Sequence, residues 1–211
     1  MLFAILIGIF GALQYLLRTW IVKLRFRLSG GKNSGLSRRK LPFVIFSDDK
    51  RYWNVFEPVC RELCARGMEI TYMTESEDDP ALSCGYEHLH GEFIGKGNKG
   101  IAKLNFLSAT MLLSTTPGLD VYQWKRSKDV DYYIHMLHAP NEIAGYRMFG
   151  TDYYDALLVS GAFQEEQVRE LEKLRNLPAK EICHVGIPYM DELAKRLAEN
   201  PPSGHDGRTV L

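Results

Sequence analysis

Acidic residues are missing from the start of this chain. The first 47 residues contain no aspartate or glutamate, but they hold eight of the 26 basic residues. The rest of the chain therefore has 18 basic residues against all 26 acidic ones, a formal net charge of −8. A basic N-terminal segment before an acidic remainder does not indicate a nucleic-acid partner. It indicates that the N-terminal segment lies against anionic lipid, where each cation contributes roughly 1 kcal/mol to binding.

Cysteine is scarce, and the familiar catalytic motifs are absent. The four cysteines (Cys60, Cys64, Cys84 and Cys183) form no C-x-x-C pair, which predicts reduced thiols in a cytosolic setting. The sequence has no G-x-S-x-G, H-E-x-x-H, Walker or protein-kinase signature. The segment Gly95–Gly100 (GKGNKG) lacks the lysine and hydroxyl positions of a phosphate-binding loop. We predict that it is a flexible loop.

The N-terminal residues form a long apolar run. Leu2–Val22 is about 21 residues, which as a helix would be about 31 Å long and would match the hydrocarbon core of a bilayer. Basic residues follow the run and no small-residue cleavage site appears, so residues 1–28 are predicted to be a transmembrane anchor with a basic flank. This predicts a single-pass protein of the cell membrane with its soluble domain in the cytoplasm. The alternative is a helix that lies in the membrane surface.

Composition divides the rest of the chain into three parts. Residues 29–41 are rich in glycine, serine and basic side chains and are predicted to be a linker. Residues 42–199 are predicted to be one α/β domain. Residues 200–211 begin with a second linker and end in Arg208–Leu211, which resembles the first residues of a new strand. We therefore expect that the chain is a truncated form of a two-domain protein.

Apolar runs alternate with helical patterns throughout residues 42–199. Strand, helix, glycine and strand follow one another from Phe43 to Met73, which is a βαβ unit and implies parallel strands. The predicted strands are Phe43–Ser47, Met68–Met73, Tyr86–Ile94, Thr110–Ser114, Asp131–Leu137, Ala156–Val159 and Glu181–Val185. The predicted helices are Tyr52–Arg66, Ile101–Ala109, Glu142–Met148, Phe163–Asn176 and Pro188–Glu199. The fold class is therefore α/β, with a Rossmann-like open parallel sheet.

His138 is the main candidate for a catalytic residue. Ligands of open parallel sheets bind at the carboxyl ends of the strands, and His138 directly follows the strongest predicted strand. An imidazole there can accept a proton near neutral pH. Asn141 and Glu142 could orient it, or they could cap the following helix.

The other histidines give weaker signals. His135 and His138 would point to opposite faces of a strand, so we predict no shared metal site. His88 and His90 share a face but lack companion ligands, and are predicted to be surface residues. His184 is predicted to be a core histidine. The sequence thus predicts neither a metal ion nor another bound cofactor.

Three segments between Asp131 and Leu193 follow a common pattern: His138–Pro140 after a strand, Tyr154–Gly161 as a strand and turn, and Gly186–Asp191 before a helix. This stretch resembles the CDP-glycerol glycerophosphotransferase family, membrane-associated enzymes that build teichoic-acid-like polymers. The resemblance covers about a third of the chain. It implies a GT-B-like arrangement of two Rossmann-like domains, of which this chain would be the N-terminal, acceptor-side half.

The resemblance also implies a reaction. His138 would act as the base on a hydroxyl of a lipid-linked polymer acceptor, which would attack CDP-glycerol and release CMP. With the strand-end placement, it suggests substrate-binding roles for six residues: Pro140, Asn141, Glu142, Ser160, Gly161 and Gly186. Ala139 and Pro140 stand where the family motif has glycine and threonine, so a hydroxyl that could contact phosphate is missing. Because the family builds its donor pocket on the second domain, little or no turnover is expected from this chain alone.

Two other functions remain open. The chain could be a non-catalytic, membrane-anchored module that binds an acceptor or a partner. It could also be the N-terminal half of a GT-B glycosyltransferase that uses a nucleotide sugar or another nucleotide-activated donor, because donor choice depends mostly on the other domain.

Overall fold

A computed structural model describes residues 40–146 and 148–200 of the chain. The predicted anchor at 1–28, most of the first predicted linker and the final segment 201–211 lie outside these residues. Within residues 40–146 and 148–200, the structure contains no helix both long and apolar enough to cross a membrane.

Seven strands form one sheet. They are β1 Leu41–Ser47, β2 Ile70–Thr74, β3 Leu89–Phe93, β4 Ser108–Ser114, β5 Asp129–Met136, β6 Ala156–Val159 and β7 Glu181–His184. Their order is β3-β2-β1-β4-β5-β6-β7, and every neighbouring pair is parallel. This order places the reversal of the strand sequence between β1 and β4, as in doubly wound dinucleotide-binding folds. The predicted α/β fold with a Rossmann-like parallel sheet is therefore confirmed.

Within residues 40–146 and 148–200, the chain also has four α-helices and three 3₁₀ turns, all of them between strands except the last helix. The helices are α1 Trp53–Ala65, α2 Asn98–Leu104, α3 Ala162–Arg175 and α4 Pro188–Glu199. The 3₁₀ turns are Lys50–Tyr52, Pro80–Leu82 and Ile143–Gly145. Pro188 is the first residue of α4, where its missing N–H costs no helical hydrogen bond.

The sheet is covered on both faces, and β1 shows why its residues are almost all apolar. Val44 and Phe46 belong to one buried cluster, whereas Phe43 and Ile45 belong to the other. Successive side chains of a strand point to opposite faces, so a strand with two covered faces needs an unbroken apolar run. The run FVIFS meets this requirement.

Two segments differ from the predicted secondary structure. The predicted helix Ile101–Ala109 begins earlier, at Asn98, and ends at Leu104, so part of the predicted flexible loop Gly95–Gly100 is helical. Gly100 is buried, and a Cβ atom there would lie 2.7 Å from Oε1 of Glu75 and 2.6 Å from the carbonyl oxygen of Gly95. Glycine is unfavourable in a helix, but this close packing requires it.

The prediction of a helix over Glu142–Met148 is wrong. The described residues of this segment form only the 3₁₀ turn Ile143–Gly145, after which Tyr146 has an extended backbone. Phe149 has a positive φ of 62°, a conformation that a continuing helix does not allow. The prediction for His184 is also wrong, because its side chain is exposed and its Nε2 lies 2.7 Å from Oε2 of Glu165.

His135 is the histidine that lies in the core. It is fully buried beside the rings of Tyr154 and Tyr146, at centroid distances of 4.8 and 5.7 Å. Neither of its ring nitrogens has a hydrogen-bond partner among the described residues. Burial lowers the pKa of His135 to about 3, and the neighbouring His138 acts in the same direction. The folded protein therefore holds this imidazole neutral.

We expect His135 to make the folded state less stable in acid. The unfolded chain binds a proton near pH 6.5 and the folded chain only near pH 3, so stability is lost as pH falls through this window. The loss should approach about 1.4 kcal/mol per pH unit below about pH 6. Urea unfolding between pH 8 and pH 4.5 measures this slope. His135→Phe should reduce it, and the exposed-site control His184→Phe should retain it; equal slopes in both variants would contradict the assignment.

Candidate functional site

The carboxyl ends of the strands form one edge of the sheet, hereafter the rim. Because all seven strands are parallel, the segments that follow them emerge at this same edge. His138 lies two residues after β5, Ser160 directly after β6, and Gly186 two residues after β7. The predicted catalytic residue and two of the predicted substrate-binding residues, which belong to three separate loops, therefore lie on the same rim.

His138 is half-buried on this rim. The ring of Tyr52, in the turn before α1, packs edge-on against it with a centroid distance of 5.0 Å. Its Nδ1 atom is buried and has no hydrogen-bond partner among the described residues. Burial lowers the pKa of His138, while the negative charge of Asp48 at the end of β1 opposes this shift. The imidazole is therefore neutral at pH 7 and can accept a proton, and Asp48 can stabilise the cation that forms.

His135 and His138 occupy different environments. His135 packs against Tyr146 and Tyr154 of one buried cluster, whereas His138 packs against Tyr52, which belongs to the other. Between residues 40 and 200, Arg147 aside, no group of three or more His, Cys, Asp or Glu side chains could hold a metal ion.

The loop after His138 exposes the next three predicted substrate-binding residues. Pro140, Asn141 and Glu142 are all exposed. Glu142 directly precedes the 3₁₀ turn Ile143–Gly145 and makes no capping hydrogen bond with its side chain. Neither the Asn141 nor the Glu142 side chain hydrogen-bonds to His138 among the described atoms, so the structure gives neither of them an orienting role.

Gln164, which the sequence analysis missed, joins this loop to the next one. The residue is completely buried in the first turn of α3. Its Nε2 donates hydrogen bonds to the carbonyl oxygens of Ala139 and Asn141, at 2.9 and 3.0 Å. Its Oε1 accepts hydrogen bonds from the N–H and the hydroxyl of Ser160, at 2.8 and 2.9 Å. One side chain therefore fixes both the His138 loop and the Ser160 turn.

The sequence carried a signal for Gln164. It is the third residue of α3, the position from which glutamine or glutamate reaches back to an N–H before a helix in a capping box. Here the acceptor bonds to the N–H of Ser160, one residue before Gly161, the N-cap of the helix. The hydrogen bonds to Ala139 and Asn141 span more than twenty residues of the chain, so no local sequence pattern predicts them.

Of the two predicted glycines, Gly186 is required by its turn and Gly161 is not. Gly186, between β7 and α4, has a φ of 68°, which favours glycine over any residue with a Cβ atom. Gly161 is extended, with φ of 171°, and the space where a Cβ atom would lie is open. Gly161 therefore leaves the N-terminus of α3 uncovered on the rim, next to the His138 loop.

Comparison with protein-family models, with curated proteins and with solved structures finds no match to this chain.

We expect that Gln164→Ala will destabilise the protein by about 3 kcal/mol, because it leaves two part-buried carbonyl groups and the Ser160 N–H without partners. Gln167→Ala is the matched control: Gln167 accepts one hydrogen bond, from the N–H of Ile143 at 2.7 Å, so its loss should cost about 1 kcal/mol. Gln164→Glu keeps the acceptor atoms but cannot donate to Ala139 and Asn141. Its destabilisation should therefore lie between those of the two alanine variants. Urea unfolding measures all three; equal costs for both alanine variants would show that Gln164 does not join the loops.

Proposed function

We propose that this chain is the acceptor-side part of a membrane-associated glycerophosphotransferase. In this proposal it transfers glycerol phosphate from CDP-glycerol to a hydroxyl group of a membrane-linked acceptor. The observation that carries the proposal is the neutral, half-buried imidazole of His138 on the rim of a parallel sheet. The resemblance of Asp131–Leu193 to the CDP-glycerol glycerophosphotransferase family supports the choice of donor.

The proposed step is an in-line displacement at phosphorus. The acceptor hydroxyl loses its proton to His138 while its oxygen forms a bond to the phosphorus that carries glycerol. The bond between this phosphorus and the bridging oxygen breaks, and CMP leaves with the electron pair. The imidazolium that forms on His138 is stabilised by the negative charge of Asp48, because the same charge raises the pKa of His138. Base catalysis of this kind contributes about 10²–10⁴-fold.

The donor phosphates require positive groups, and among the described residues no lysine or arginine charge acts on His138. Ala139 and Pro140 follow the histidine without a hydroxyl or a charge, and Asp48 is the charged group whose field acts on it. We therefore assign the phosphate-binding role to the second domain of a GT-B-like arrangement. This division leaves acceptor binding and proton transfer to the rim described here.

Membrane association in this proposal rests on the sequence of the N-terminus. The apolar run Leu2–Val22 followed by basic residues would keep the rim close to a lipid-linked acceptor. A polymer held at the bilayer surface would then reach His138 without leaving the membrane.

The test is release of CMP from CDP-glycerol by the full chain mixed with a donor-side domain of the resembled family. We expect His138→Ala to lower the rate about 10²–10⁴-fold, with far-ultraviolet circular dichroism showing a retained fold. The matched control His184→Ala removes an exposed histidine near the end of β7 and should retain the rate.

Three outcomes would change the assignment. Equal rates for His138→Ala and the unaltered chain would remove His138 from the mechanism. Turnover of a nucleotide sugar in place of CDP-glycerol would make the protein a GT-B glycosyltransferase. Acceptor binding without turnover of either donor would make it a non-catalytic binding module.

A further inference from the structure

A cavity of about 490 Å³ opens on the rim at the ends of β1, β2 and β4. It lies at the point where the strand order reverses, the usual ligand position of an open α/β sheet. Its volume falls within the range of small-molecule sites. Asp48 and Glu75 line it, and no lysine, arginine or histidine of the described chain does.

The two acidic groups share this space without a cation of their own. Asp48 is exposed at the mouth, yet the atoms packed around its carboxyl group displace water and raise its pKa. Burial also raises the pKa of Glu75, and the negative charge of Asp48 adds to this effect. Arg51 acts on Asp48 as well, but its Nε lies 2.9 Å from a carboxylate oxygen of Asp49. Both charges are therefore disfavoured where they stand, and a cation in the cavity would stabilise both.

The carboxylate of Glu75 is fixed before any ligand arrives. Its Oε2 accepts a hydrogen bond from the N–H of Gly97 at 3.1 Å. Gly100 leaves room for its Oε1, because a Cβ atom there would lie 2.7 Å away. A carboxylate has further lone pairs for a ligand, and an acceptor that is already held loses little freedom on binding.

Trp124 gives a second indication of a ligand, independent of the acidic pair. Its side chain lines the cavity and is 5% exposed, and its indole N–H has no hydrogen-bond partner among the described residues. A buried donor without a partner costs about 1–3 kcal/mol, and an oxygen atom of a ligand would satisfy it. Phe46 packs edge-to-face on Trp124 with ring centroids 5.1 Å apart, and Ile101 and Leu104 extend this apolar wall. The ligand therefore needs an oxygen acceptor and an apolar group as well as a positive charge.

An organic ammonium group matches this lining better than a metal ion does. Mg²⁺ and Ca²⁺ take about six or more oxygen ligands, whereas two carboxyl groups stand here among aromatic and aliphatic side chains. An ammonium group donates hydrogen bonds to carboxylates and is attracted to the faces of aromatic rings. Its carbon chain also packs against the apolar wall.

We propose that this cavity binds a small organic ammonium compound, whose charge lies between Asp48 and Glu75. A hydroxyl or carbonyl oxygen beside the ammonium group accepts the indole N–H of Trp124, and an apolar group packs against Phe46. Leucinol combines these three parts and serves as the probe. The site goes beyond the proposed transfer reaction and does not depend on it, because its ligand has the opposite charge to CDP-glycerol.

The experiment measures binding to the full chain labelled with 5-fluorotryptophan. The chain has three tryptophans, Trp20, Trp53 and Trp124, and single Trp→Phe replacements assign their ¹⁹F resonances. We expect leucinol to shift the Trp124 resonance saturably and to leave that of Trp53 unchanged. Isohexanol, which is leucinol without its ammonium group, should give no saturable shift. An equal response to isohexanol, or displacement of leucinol by an equal concentration of Mg²⁺, would overturn the proposal.

Charge variants test the contacts. Glu75→Gln keeps an acceptor for the N–H of Gly97 but removes the charge, and should weaken leucinol binding roughly tenfold. Asp48→Asn should act in the same direction. Glu77→Gln is the matched control: it removes the same charge from an exposed position two residues away and should leave binding unchanged. Equal affinities for Glu75→Gln and the unaltered chain, or a Glu77→Gln variant as weak as Glu75→Gln, would contradict the assignment.

The ammonium site and the transferase assignment fail in different ways. If leucinol shifts Trp124 but CMP release does not depend on His138, the ammonium site stands and the transferase assignment falls. If CMP release depends on His138 but leucinol does not shift Trp124, the transferase stands and the ammonium site falls.

Discussion

Parallel pairing of β1, β4 and β5 is the constraint on which the proposed site depends. Phe46 pairs with Ser114, and Ser114 pairs with His135, so the three strands end at nearly the same level of the sheet. The residues that follow them, Asp48 and His138 among them, must then emerge side by side. No direct hydrogen bond joins these two groups among the described atoms, and their interaction is one of charge through a partly buried space. If β5 ran antiparallel to β1, His138 would emerge at the other edge.

The two edges of the sheet differ in whether their polar groups have protein partners. At the amino ends of the strands, charged groups have partners: the part-buried Arg126 contacts Asp155 at 2.8 Å, and the buried Lys180 ammonium donates to the carbonyl oxygen of Asp152 at 2.6 Å. The backbone N–H of Lys180 donates to Glu172 at 2.8 Å. These contacts satisfy the groups that the fold buries, as stability requires. The amino edge therefore has the features of a structural edge.

The carboxyl edge leaves polar groups without protein partners. Buried nitrogen atoms of His138 and Trp124 have none among the described residues. An unpaired buried polar group costs about 1–3 kcal/mol, so each of these two atoms needs an explanation. The rim also divides by chemistry: carboxylates and aromatic rings lie near β1, β2 and β4, and a neutral imidazole follows β5.

The sequence by itself determined the seven strands, their parallel arrangement and the strand-end position of His138, because each of these follows from local apolar periodicity. It failed where packing outweighed local propensity. Gly100 sits inside a helix because Glu75 and the Gly95 carbonyl oxygen leave no room for a side chain. Only the tertiary structure decided that Gln164 joins two loops, that Asp48 acts on His138 and that an acidic cavity opens beside Trp124. These relations join residues that lie between about twenty and ninety positions apart in the chain, and a local pattern holds no information about contacts at that separation.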